Sequence, residues 1–114
     1  MATKINPSDF KIKIDSLYSY FERGKALFGD HTLYRFNKNK DEEVSVSYKE
    51  MYNLITDVAL AFKKLGMAGK KVILLGETSV QWISSYIATV AADGVIVPID
   101  PLLLEEQIIE FTKF

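Results

Sequence analysis

KVILLGETSVQWISSYIATVAADGVIVPIDP, residues 71–101, decides the fold. An apolar run, Val72 to Leu75, stops at Gly76, and a second, Val95 to Ile99, closes at Asp100-Pro101. Between them, from Ser79 to Asp93, apolar residues (Val80, Trp82, Ile83, Tyr86, Ile87, Val90, Ala91) recur almost all round a helical wheel. Two short, uninterrupted Val- and Ile-rich runs are the pattern of parallel strands covered on both faces, since a half-exposed hairpin would alternate. A helix apolar on nearly every side is a buried one. The stretch therefore predicts strand, helix, strand in a right-handed βαβ crossover, and an α/β protein.

Upstream, Ser47 with Glu50 three residues on predicts a capping box. Met51, Ile55, Val58, Ala59, Phe62 and Leu65 follow as one stripe, with Lys63 and Lys64 suiting the last turn and Gly66 ending it. Thr32 to Phe36 and Val44 to Tyr48 read as strands of a hairpin, with Asn37 to Glu43 as its loop. Before them, a helix capped by Asp15 and stopped by Gly29 presents Leu17, Tyr20, Phe21 and Leu27 or Phe28, with Gly24 as a possible break. Phe10 to Ile14 alternates apolar residues with Lys11 and Lys13, the pattern of an edge strand or extended arm. Downstream, Thr78 with Gln81 is a second capping-box pattern, and Asp93-Gly94 a helix stop. Asp100-Pro101 predicts the start of a last helix with Leu104, Ile108 and Phe111 on one face and Glu105 and Glu106 in its first turn.

Composition narrows the function classes. With 48% hydrophobic residues and 12% aromatic ones, 114 residues build one small globular core. A formal charge of −1 with interleaved signs leaves no footprint for nucleic acid. The absence of cysteine excludes disulfides, thiolate nucleophiles and Cys-ligated metals. No window resembles a leader or a membrane span, so a soluble, cytoplasmic chain is expected.

Chemistry is sparse. Gly76-Glu77-Thr78-Ser79 lies between strand and helix, where anions bind helix N-termini, so Gly76, Thr78 and Ser79 are weak cofactor-binding candidates. The turn has neither G-x-x-x-x-G-K-[ST] nor G-x-G-x-x-G, and an ordinary capped turn is the favoured reading. His31, the only histidine, lies in the polar turn Gly29-Asp30-His31-Thr32 with no acid pair or cysteine nearby and receives no role; no metal ligands are assigned. Asp93 and Asp100 are read as turn and cap residues, and Trp82 with Tyr86 as core packing. No catalytic residue is assigned.

The order of features over residues 15–112 resembles the AMP-forming acyl-CoA synthetases of the adenylate-forming superfamily. The resemblance is carried by Ser47-Tyr48-Lys49-Glu50 at a helix start, Leu65-Gly66 at its end, and Gly69-Lys70-Lys71-Val72 leading into a strand. Thr78-Ser79-Val80-Gln81-Trp82 and the strand Gly94 to Asp100 continue it, and the Gly-Lys-Lys and Gly-Glu-Thr-Ser phrases are closest to long-chain fatty-acid CoA ligases. Asp100-Pro101-Leu102-Leu103 departs from the pattern, which often has a polar residue after the Asp. The resemblance implies a partial three-layer αβα Rossmann-like unit, with residues 1–14 as an arm and 15–114 as the N-terminal part of a large domain. It implies ligation of fatty acid to CoA through an acyl-adenylate, with Mg-ATP and CoA used by the parent enzyme, which is itself soluble or membrane-peripheral. The family's Ser/Thr/Gly-rich phosphate loop, Tyr-Gly-x-Thr-Glu segment, ribose-binding Asp and C-terminal Lys have no counterpart in these 114 residues. The chain is therefore expected to be a scaffold segment, inactive alone, whose partners are the remainder of the synthetase or further copies of itself, in a homo-oligomer or by domain swapping, through an apolar patch meant to meet the missing segments. A free-standing Rossmann-like binding module and a regulatory paralogue are the alternatives.

Overall fold

The computed structural model describes residues 16–113. The arm 1–14, with its expected strand at Phe10 to Ile14, and Asp15 lie outside the described residues. In order come α1 (Leu17–Phe28), β1 (Thr32–Asn39), β2 (Glu42–Ser47), α2 (Tyr48–Lys64), β3 (Lys71–Leu75), α3 (Val80–Ala91), β4 (Val95–Ile99) and α4 (Glu105–Phe111).

Ser16, not Asp15, caps α1: Ser16 Oγ accepts the Ser19 N–H at 3.1 Å, and Ser19 Oγ accepts the Ser16 N–H at 3.0 Å. The helix runs unbroken through Gly24, which is buried because the Tyr48 ring lies against it. A Cβ there would come within 2.8 Å of Tyr48 Cδ1, so the weak helix former is what lets α1 approach α2. Tyr18 and Phe21 pack on the core, whereas Leu17, Tyr20 and Leu27 remain exposed, so the inward face is rotated from the expected stripe.

The hairpin is tighter than the expected seven-residue loop. Its strands continue to a two-residue turn at Lys40-Asp41, pairing Asn37 with Glu43 and Asn39 with Glu42. Polar residues sustain a ladder where both faces are wet, and the Arg35–Glu43 ion pair at 3.2 Å adds a cross-strand tie. Tyr48 belongs to α2, not to β2. Ser47 Oγ caps α2 by accepting the Glu50 N–H at 3.0 Å, and the Glu50 carboxylate accepts the Ser47 hydroxyl proton at 3.2 Å. At the other end Gly66, at φ 77, donates to the Lys63 carbonyl and Met67 to that of Phe62, a Schellman ending. Leu65 falls at this turn and is 70% exposed, off the buried stripe where the sequence put it.

Met51, Ile55 and Ala59 of α2 and Ile87 and Ala88 of α3 form the core, ringed by Tyr18, Phe21, Leu33, Val46 and Ile83. β3 and β4 pair in parallel from Lys71↔Val95 to Leu75↔Ile99, with α3 as their crossover. The result is a mixed α/β architecture, a partial αβα unit. α3 is largely buried, as expected, but the sheet is not covered on both faces: Ile73, Leu75 and Val95 are exposed. The helix starts later than expected in α4 also. Asp100 Oδ1 accepts the Leu102 N–H at 2.9 Å, so Asp100-Pro101 makes a turn and the helix begins only at Glu105. Leu104 and Phe111 on its expected inner face are exposed.

Candidate functional site at the head of α3

β3 delivers the chain to Gly76, and Ser79, extended at φ −157, turns it into α3. Ser79 Oγ accepts the Trp82 N–H at 3.1 Å, so Ser79 performs the capping expected of Thr78. The register explains the difference: with the helix beginning at Val80, Gln81 sits one position too early to complete a box.

Two hollows meet at this helix head. One, of about 560 Å³, lies between the hairpin and α3, walled by Tyr34, Phe36, Val44, Val80 and Ile83 with Arg35 and Lys38 at its margin. The other, of about 530 Å³, lies beyond β3, against Leu75, Gly76, Glu77, Trp82 and Ser85. Thr78, Ser79 and Gln81 line both, so of the three cofactor candidates Gly76 faces only the second. No lysine or arginine lines that second hollow, and Glu77 does. A polyphosphate placed there would meet a carboxylate and no countercharge, and the Ser79 hydroxyl is already engaged as acceptor by its own helix. In the first hollow the Arg35 charge is engaged by Glu43. The geometry fits an apolar or weakly polar surface better than a phosphate cradle.

The remaining candidates are placed apart. His31 donates its N–H to the Phe28 carbonyl at 2.7 Å and its carbonyl accepts the Tyr48 N–H at 3.1 Å, tying the α1–β1 turn to α2. Trp82 and Tyr86 lie half-buried with ring centroids 5.5 Å apart, and Trp82 forms part of the second hollow's wall. Among the described residues no group of three or more His, Asp or Glu side chains is arranged to hold a metal ion, and no helix is long and apolar enough to cross a membrane.

A polar cluster between α1 and α2 has no counterpart in the sequence reading. The Tyr18 and Tyr52 hydroxyls lie 2.9 Å apart, Tyr18 and the Thr56 hydroxyl 2.8 Å apart, and Thr56 donates to the Tyr52 carbonyl at 2.9 Å. Lys25 Nζ sits 4.6 Å above the Tyr52 ring. The hydrogen bond with Tyr18 foremost, then burial and nearby negative charge, push the Tyr52 phenol up to about 12 against the lowering by Thr56. Tyr34 is also raised, chiefly by burial. Tyr18 and Tyr52 stand 34 residues apart with no shared local pattern, so only the helix pairing reveals them.

Residues 21–113 match the model of the family described as AMP-binding enzyme. No curated protein matches the chain. Among solved structures, IdnL1 aligns at 21% identity and a TM-score of 0.79, over 90% of this chain and 21% of that one. A fatty acid AMP ligase from Legionella pneumophila aligns at 18% identity and 0.75, over 96% and 19%. The Klebsiella oxytoca NpsA N-terminal subdomain, in complex with 3-hydroxyanthranilyl-AMSN, aligns at 16% and 0.71, over 85% and 24%. At these identities the likeness is one of fold. The chain spans about a fifth of the length of these structures.

Proposed function

The chain belongs to the AMP-binding enzyme family, and on that premise we propose that it is an N-terminal scaffold segment of an adenylate-forming ligase, with fatty-acid CoA ligase as the activity of the parent enzyme. In that activity a carboxylate oxygen of the fatty acid displaces pyrophosphate from the α-phosphorus of Mg-ATP, and the CoA thiol then displaces AMP from the acyl-adenylate. The fatty-acid choice takes its support from structural neighbours that are a fatty acid AMP ligase and a fatty acyl-adenylate ligase; an anthranilate CoA ligase among the neighbours marks aryl acids as the competing class.

The observation that carries the scaffold reading is the lining of the hollow beyond β3. Stabilising a transferring nucleotide needs donors and cations aimed at its phosphates. This hollow offers Glu77 and no cation, so its residues do not fit ATP, and no step of the reaction is assigned to a residue of this chain. What the chain contributes in this reading is mechanical: a capped α3, locked on α2, holding β3 and β4 as a base for further segments.

Isothermal titration of the 114-residue chain with Mg-ATP, with and without a fatty acid, tests the reading. No heat of binding is expected in either case. Stoichiometric binding would overturn the scaffold role and put the free-standing Rossmann-like module first. Sequencing the gene downstream of codon 114 is the independent check, with an open frame leading into a Gly-rich phosphate loop as the expected result.

A further inference from the structure

We draw no further inference here: the strongest candidate, the hollow between the hairpin and α3 with Lys38 at its margin, is walled by the apolar Tyr34, Phe36, Val44, Val80 and Ile83, and nothing in the structure shows what covers it.

Discussion

Asp93 sits at φ 64, the position at which a Schellman ending favours glycine. The Asp93 and Gly94 N–H groups bond to the Val90 and Thr89 carbonyls at 3.1 and 2.9 Å, so the motif is complete with an acid in its left-handed place. Gly94 serves another need: a Cβ there would lie 3.0 Å from Thr89 Cγ2. The pair Asp93-Gly94 was legible as a stop, but which of the two carries the unusual dihedral was not, because both residue types tolerate it. Asp93→Gly is expected to stabilise the chain by roughly 0.5 kcal/mol, the relieved strain exceeding the added freedom of the unfolded glycine. Urea unfolding checks this, and a lower midpoint would contradict it. Tyr52 supplies the pH-dependent counterpart. Its folded-state phenol is raised to about 12 from the ordinary 10, so the folded state holds this proton more tightly than the unfolded one. The resulting stability is whole below pH 10 and is lost as pH climbs through about 12. In the phenolate absorbance of the folded chain Tyr52 should titrate late, alongside Tyr34, which burial also raises, and Tyr52→Phe should reduce that late amplitude.

The elements themselves were largely readable, because helix periodicity and glycine stops are local properties. α2 lies within one residue of its expected bounds, and the βαβ order of β3, α3 and β4 follows from two apolar runs flanking one apolar helix. What was not readable was register within a turn. Thr78 and Ser79 are both competent caps followed three residues on by Gln81 and Trp82, and only the closing of the helix at Val80 selects Ser79. The same ambiguity placed the α4 start at Asp100-Pro101, whose Asp side chain instead bonds two residues ahead. The candidate site shares this limit, since the hairpin wall that makes its larger hollow comes from residues more than 30 positions away in sequence. Ser79→Ala should cost about 1 kcal/mol, the usual loss of a side-chain cap. Thr78→Ala should leave stability within about 0.5 kcal/mol, as for a surface position with no such role. Thermal unfolding of the two variants decides between the positions, and a larger loss for Thr78→Ala would reinstate the expected box.

Across the molecule the apolar residues outnumber the places that bury them. Among the described residues the buried hydrophobic set is Met51, Ile55, Ala59, Ile87, Ala88, Ala92 and Ile99, four of them alanine or methionine. Against it stand exposed Leu17, Leu27, Phe36, Leu60, Leu65, Leu75 and Leu102, on α1, the hairpin, α2, the sheet and the α4 turn. Scattered single exposures are ordinary, but exposures on this many elements leave the core to be carried by the α2–α3 contact. Ile55 lies at its centre with no exposed area. Truncating such a side chain costs about 2–5 kcal/mol, a large part of the 5–15 kcal/mol that holds a typical domain together. Ile55→Ala should therefore lower the urea midpoint sharply or abolish cooperative unfolding, followed by the fluorescence of Trp82, the sole tryptophan. Leu65→Ala, at a 70% exposed position, should hardly move it. A chain in which both substitutions cost the same would mean that the outer apolar residues are packed in solution, and that the buried α2–α3 seam is not what holds the molecule together.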